Sequence, residues 1–302
     1  PVVDGSMAAH FVLHKHLTGE ARSEPRDMDF ISQQLQKQDE KHRKDQRQKA
    51  QDKQIIYTRD HFATEFDTNA YLTDFYTKVD DPAMQLVITF LPSIVARLPS
   101  RKRLLDFGAG PTIHVAACFR NTVEEAYLAD FLPQNRDELK RWKNKESTFD
   151  WSFALKLLHS REGKDWSLVK TTEEEAREKV KDIYYCNCFE DPSVTCLPEL
   201  NGNFDIITSF FTLEYCCNTL DEYKTAVKNV VKQVIPGGYF IMGGILEETW
   251  CSFGGRKFTC LYITRDFMLD CLREAGLEVD DEKTYLMEVN GMFLICVKKT
   301  KN

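Results

Sequence analysis

From about residue 81 to residue 298, short apolar runs of strand character alternate with stretches whose apolar residues recur every three or four positions. That alternation is the pattern of a parallel sheet with helices on both faces. Asp81 and Pro82 offer a cap and a first-turn proline to an apolar helix running toward Leu98, interrupted at Pro92. Strands are expected at Arg103–Phe107, Ala126–Ala129, Ile183–Cys186, Phe204–Phe211 and Tyr239–Met242. Thr219 and Glu222 have the spacing of a capping box, and Leu220, Tyr223, Val227, Val230 and Val234 give the helix behind it a single apolar stripe. Pro236-Gly237-Gly238 should stop that helix before the fifth strand. A last helix near 265–275 ends at Gly276, and two further strands follow around 277–286 and 292–298. The expected sheet therefore has seven strands, mostly parallel, and no internal repeat is visible.

The 302 residues divide unevenly. Residues 33–54 hold Leu35 among glutamines and mixed charges, and between 37 and 53 seven Lys or Arg stand against four Asp or Glu. Such a stretch buries no face, so it reads as a solvated helix or a disordered arm able to reach a partner. The expected division is a charged extension over 1–54 and one α/β domain over 55–302. A net charge of -7 argues against a whole-surface attraction to nucleic acid, and no run approaches the ~18 apolar residues of a membrane span. The amino end lacks a continuous apolar signal core, so the expectation is a soluble, cytoplasmic monomer. The ten cysteines sit mostly within apolar runs and without CxxC spacing, as reduced buried thiols do, so neither disulfides nor a metal site are expected.

The chemistry gathers where the first strand ends. Asp106-Phe107-Gly108-Ala109-Gly110-Pro111-Thr112 leads from strand to helix, the context in which glycines bring backbone close to a ligand. A dinucleotide fingerprint would place a small residue at 113, where Ile113 stands, and Pro111 removes an amide that could face a pyrophosphate. Asp130, at the end of the second strand, stands where ribose hydroxyls are bound. Glycine loop and acid together point to an adenosyl ligand without phosphates. Two acids, Glu214 and Glu248, follow the fourth and fifth strands, and so share the carboxyl edge of the sheet with the loop.

Several segments resemble one family. The loop Gly108 to Ile113, the run Arg141-Trp142 with Phe149-Asp150-Trp151-Ser152, and the segment Ile245-Leu246-Glu247-Glu248-Thr249-Trp250 are similar to class I S-adenosylmethionine-dependent methyltransferases of the nicotinamide, phenylethanolamine and indolethylamine N-methyltransferase group. Phe66 to Tyr76 resembles the amino-terminal lid of that group. The resemblance covers about 57–299 and implies a Rossmann-like α/β fold with a lid, S-adenosylmethionine as cofactor, S-adenosylhomocysteine as product, and methyl transfer to the nitrogen of a small, aromatic amine.

By similarity, Gly108 and Gly110 pass under the cofactor, Thr112 and Asn135 hold its methionine end, Asp130 its ribose, and Asn187 and Cys188 its adenine, while Tyr71 and Tyr76 close over it. Two positions depart from the group: His114 replaces a tyrosine and Asn187 an aspartate. Glu214 and Glu248 are the implied catalytic acids, and with Tyr76 and Glu288 they are the implied substrate-binding residues. A primary alkylamine is protonated at neutral pH, with lysine's pKa of ~10.4 as guide, so carboxylates are needed to bind it and take its proton. Tyr215, Trp250 and Phe253 suit an aromatic wall. Gly244 stands where the nicotinamide enzyme has an aspartate, which favours an amine, with nicotinamide or another pyridine as the alternative. The rival from another class is a binding protein that keeps the fold without turnover.

Overall fold

The computed structural model describes residues 55–280, 282 and 284–301. The charged arm expected at 33–54, and the 1–54 extension to which it belongs, lie outside the described residues.

The strands are β1 (Ile56–Tyr57), β2 (Arg101–Phe107), β3 (Val123–Asp130), β4 (Val180–Cys186), β5 (Val194–Thr195), β6 (Phe204–Phe210), β7 (Val234–Ile245), β8 (Trp250–Phe253), β9 (Arg256–Thr259), β10 (Leu277–Glu278), β11 (Tyr285–Val289) and β12 (Met292–Lys299). The α-helices are α1 (Phe62–Glu65), α2 (Thr68–Tyr76), α3 (Pro82–Val95), α4 (His114–Phe119), α5 (Pro133–Lys143), α6 (Ser152–Glu162), α7 (Val169–Lys179), α8 (Leu213–Cys216), α9 (Leu220–Lys232) and α10 (Arg265–Glu274).

The main sheet runs β10-β12-β7-β6-β2-β3-β4-β5, with β11 also on β12. The pairs β2–β3, β2–β6, β3–β4 and β6–β7 are parallel, and β12 lies antiparallel to β7. Seven strand positions are present as expected, with the outermost divided into β10 and β11 along β12. A two-residue β5 extends the opposite edge.

Alternation along the strands sorts side chains to two cores, as the pleat requires. Leu104, Ala126, Leu128, Ile206, Ile241 and Leu294 face one core, with α3, α4 and α6. Leu105, Tyr127, Ala129, Ile207, Phe240 and Ile295 face the other, with α9 and α10. Burial on both sides is why these strands read as continuous apolar runs. Buried on the first face, Arg120 bonds Glu162 and Glu175, an ion cluster that joins α4 to α6 and α7.

Three local expectations are corrected. Helix α3 ends at Val95 rather than Leu98, and Pro92 sits inside it near the end, where few following amides need its turn. The fifth strand does not wait for Pro236-Gly237-Gly238: β7 starts at Val234 and runs through them, with a register shift against β6. Gly238 is required there, since a Cβ would lie 2.7 Å from the Asp205 carbonyl. A second sheet, β1-β9-β8, was not anticipated. Its strands hold two to four residues, too short to show a period.

Chain order places β3 and β4 to one side of β2, and β6 and β7 to the other. The crevice at the carboxyl ends of β2 and β6 is thus the switch point where open α/β sheets bind ligands. All ten cysteines are free thiols, and no helix among the described residues is long and apolar enough to cross a membrane.

Candidate functional site

At the switch point a cavity of about 530 Å³ opens over the carboxyl ends of β2, β3, β4 and β6, within the range of small-molecule sites. Its floor is the loop after β2. Gly108 adopts φ +73° and Gly110 φ +58°, and a Cβ on Gly108 would lie 2.3 Å from Thr212 Cγ2. Glycine at 108 is therefore demanded twice, by dihedral and by space. The amides of Gly108 and Ala109 both donate to the Ala129 carbonyl at 2.9 Å, which ties the loop to the end of β3.

Asp130 organises the next layer. Its Oδ2 accepts from the Gly110 amide at 2.8 Å, while Oδ1 accepts from the Leu132 amide at 2.9 Å and from Asn135 Nδ2 at 3.2 Å. Asn135 in turn accepts from Thr68 Oγ1 at 2.9 Å. Burial pushes the Asp130 carboxyl up, and these donors oppose that push. The carboxylate faces the cavity with lone pairs left to accept from hydroxyls.

The lid residues enclose the opposite wall. Tyr76 stacks on His114, with ring centroids 5.5 Å apart and Tyr76 Oη 3.4 Å from His114 Nδ1. Burial lowers the His114 pKa to about 4, so the imidazole is neutral. Tyr71 lies against Tyr76 at 6.2 Å and edge-on to Phe253 at 5.3 Å.

Every residue implied to hold the cofactor lines this one cavity: Tyr71, Tyr76, Gly108, Gly110, Thr112, Asp130, Asn135, Asn187 and Cys188. Asn187 uses Oδ1 to accept from the Phe189 amide at 3.0 Å and Nδ2 to donate to Glu190 at 3.0 Å, so its carbonyl is fixed but keeps one lone pair.

Glu214 and Glu248 share neighbours: burial pushes up the thiols of Cys251 and Cys260, and both carboxylate charges add to that push. Glu214 is buried in α8, and although it does not itself line the cavity, Thr212 and Tyr215 on either side of it do. Its Oε1 accepts from the Ile245 amide at 3.2 Å and sits 2.7 Å from where a Cβ on Gly244 would be. Burial raises its pKa to about 7, with backbone amides opposing, and no lysine, arginine or histidine pairs with it among the described residues. Glu248 follows Glu247, whose φ is +56°, and bonds the neighbouring Thr249 amide at 2.8 Å without lining the cavity. Glu288, exposed on β11, lies 3.6 Å from Arg265 Nε. Of the acids expected at the substrate, Glu214, Glu248 and Glu288, none lines the cavity: a shared sheet edge does not fix where a loop turns its side chains. Of the expected aromatic wall, only Tyr215 lines the cavity.

Some lining residues went unnoticed in the sequence. Asp106, 2% exposed, accepts from Thr208 Oγ1 at 2.7 Å, and burial raises its pKa to about 7. Its place directly before the glycine loop was the available signal. Phe211 holds φ +48° at the end of β6, a left-handed conformation rare for an aromatic residue, and presents its ring to the cavity. Arg59 and Phe62 line it from 46 or more residues upstream of the glycine loop, a separation that no local pattern bridges.

A family model described as NNMT/PNMT/TEMT family matches residues 53–300. Nicotinamide N-methyltransferase of Caenorhabditis elegans is 32% identical over 244 residues, covering 78% of this chain and 89% of that protein. Human phenylethanolamine N-methyltransferase is 27% identical over 210 residues, covering 66% of this chain and 74% of its own length. Rabbit (Oryctolagus cuniculus) indolethylamine N-methyltransferase is 29% identical over 180 residues, covering 59% of this chain and 66% of its own. Among solved structures, magnesium protoporphyrin IX methyltransferase from Synechocystis with bound S-adenosylmethionine superposes with TM-score 0.51 at 8% identity, covering 80% of this chain and 95% of that one. An S-adenosylmethionine-dependent methyltransferase from Clostridium acetobutylicum gives TM-score 0.50 at 12% identity, covering 78% and 99%. These two likenesses show the fold.

Proposed function

The chain belongs to the NNMT/PNMT/TEMT family of S-adenosylmethionine-dependent N-methyltransferases, and on that premise we propose that it methylates the nitrogen of a small aromatic amine bound as a cation at Glu214. The observation that carries this reading is the Glu214 carboxyl: buried, raised to about 7, and without a cationic partner among the described residues. An acid so placed is stabilised by a ligand that brings its own positive charge.

When bound, the cofactor supplies an electrophilic methyl on a sulfonium and departs as S-adenosylhomocysteine. The chain's part is to hold and align. The glycine loop lets backbone approach closely, Asp130 accepts from ribose hydroxyls, Asn187 and Cys188 flank adenine, and Thr112 and Asn135 take the methionine end. Tyr71 and Tyr76 shut out water, which would otherwise solvate the nucleophile.

An amine of pKa ~10 arrives protonated and is not nucleophilic. Glu214 at about 7 is a better proton acceptor than a solvated carboxylate near 4.5, because its basicity lies closer to that of the amine. The freed lone pair then attacks in line, the product leaves as the N-methyl ammonium, and Glu214 returns the one proton it took to solvent. Since Glu214 stands behind the lining, access requires Tyr215 or Phe211 to swing aside. Glu248 and Glu288 keep at most a rim contact in this reading. We assign the catalytic unit to 55–302, with 1–54 as an appended arm.

A pyridine such as nicotinamide is the second reading, favoured by the 32% identity with the nematode nicotinamide enzyme. Mass-spectrometric detection of product from S-adenosylmethionine with phenylethanolamine, tryptamine, tyramine, serotonin and nicotinamide separates the two. A methylated primary amine, lost in Glu214→Gln, supports the proposal, and methylation of nicotinamide alone overturns it.

A further inference from the structure

We propose that Arg59 is a positioning residue: it bolts the segment 55–66 across the adenosine end of the cofactor cavity and sets how long cofactor and product stay bound. The inference rests on the cofactor placement given above.

Strand β1 joins β9 through only two residue pairs, Ile56 with Lys257 and Tyr57 with Phe258. From there the chain runs along the cavity, which Arg59, Asp60, Phe62 and Ala63 line together with Phe189 and Cys216. Arg59 joins the two groups. Its Nη1 donates to the Cys216 carbonyl at 2.8 Å and to Glu222 Oε2 at 2.7 Å, and its Nη2 donates to Glu222 Oε1 at 3.0 Å. The guanidinium carbon lies 4.9 Å from the centre of the Phe189 ring. One side chain thereby ties the strap to the loop after β4, the end of α8 and the first turn of α9.

Each partner is itself held. Glu222 Oε2 also accepts from the Asn218 amide at 2.7 Å, and the Glu222 amide donates to Thr219 Oγ1 at 3.2 Å. The expected capping box is thus half formed, its carboxylate diverted from the Thr219 amide toward Asn218 and Arg59. The Phe189 amide is fixed by Asn187. A fork-to-fork pair needs this geometry on both sides.

The bolt is also built to open. The Arg59 and Glu222 side chains are 26% and 31% exposed, so salt and water reach the pair and weaken it more than the pair that fully buried Arg120 makes with Glu162. Elsewhere the strap is held by Gln134 Nε2 on the carbonyls of Ala63 and Phe66 at 3.4 and 3.3 Å, by the Glu65–Arg256 ion pair at 3.2 Å, and by Phe62 edge-on to Phe258 at 5.3 Å, none of which crosses to Phe189 or α9. Cofactor cannot pass between Arg59 and Phe189 while both hold.

The test loads the full-length chain with radiolabelled S-adenosylmethionine, chases with unlabelled cofactor, and follows retained label for wild type, Arg59→Ala, Glu222→Gln and the double variant. Release from Arg59→Ala is expected to be ~10-fold faster or more, and several-fold faster from Glu222→Gln, with the double variant no faster than Arg59→Ala because the two act through one contact. Raising NaCl from about 50 to about 500 mM speeds wild-type release and leaves Arg59→Ala unmoved. In steady state the KM for cofactor rises by a larger factor than kcat changes. If Arg59→Ala does not fold, Glu222→Gln and the wild-type salt dependence decide alone. Release within twofold of wild type, or equal losses in kcat and kcat/KM with a lowered Tm, overturns the proposal. A wild type that retains no label overturns the cofactor placement and the bolt together, whereas retention with unaltered release overturns the bolt alone.

Discussion

Replacing Glu214 with glutamine tests the acid on which the amine reading depends, and the size of the effect follows from its surroundings. The side chain is 3% exposed, and burial moves its pKa from 4.5 to about 7. Between those values the folded chain keeps a proton that the unfolded chain releases, so the unfolded state binds fewer protons and stability falls as pH rises. At ~1.36 kcal/mol per pH unit, the interval from 4.5 to about 7 corresponds to roughly 3 kcal/mol, present at acid pH and lost above neutrality. Glutamine mimics the neutral acid in shape and carries no titration. Urea unfolding without ligand should therefore find wild type and Glu214→Gln similar near pH 5, and the variant more stable by about 2–3 kcal/mol near pH 8. Asp106, also raised to about 7, titrates in both proteins and cancels in the difference. An amine substrate added at pH 8 should stabilise wild type and not the variant. A stability difference that stays constant within ~0.5 kcal/mol from pH 5 to pH 8 would refute both the burial argument and the role built on it.

Gly108→Ala should abolish measurable S-adenosylmethionine binding in calorimetry while leaving a folded protein, because the new Cβ must displace Thr212 and strain a left-handed dihedral. Asp130→Asn should weaken cofactor binding by ~10- to 100-fold at constant salt, the loss of one or two charge-assisted hydrogen bonds; an unchanged Kd would remove Asp130 from the ribose site. Glu248→Gln should leave cofactor affinity intact and lower kcat/KM for amines by less than Glu214→Gln does, since only Glu214 stands beside the lining. Arg120→Ala takes the buried cation from Glu162, which is left with Lys164 at 3.5 Å, and should cost about 3 kcal/mol, seen as a Tm lower by roughly 10 °C with cofactor Kd little changed.

Much of the cofactor half of the cavity was legible because its residues are local to strand ends. Gly108, Gly110 and Thr112 follow β2 directly, Asp130 ends β3, and Asn187 and Cys188 follow β4, so reading the strands correctly was enough to place them on one edge. The acids proposed for the substrate were less legible. Glu214, Glu248 and Glu288 all follow or lie on strands of that edge, but their directions are set by backbone hydrogen bonds of Ile245, Glu247 and Leu261 that pair segments remote in sequence. Arg59 shows the same limit: its meaning lies wholly in Glu222 and Phe189, more than a hundred residues away. The Pro236-Gly237-Gly238 turn misled for a different reason. Those residues break local pattern, yet β6 pairs with β7 on both sides of the break, at Val234 and again from Tyr239, where β12 joins on the other edge.

Gly244 and Glu214 contend for the same few cubic ångströms. With the Glu214 oxygen 2.7 Å and the Phe293 ring 3.0 Å from the place of a Cβ at 244, any larger residue there obliges the end of the Glu214 side chain to turn away and the ring to give. In the language of inheritance the two positions are coupled: a side chain gained on β7 at 244 displaces the acid carried on α8. What position 244 can carry is therefore decided by where the Glu214 carboxylate can go, and the two are accepted or refused as a pair.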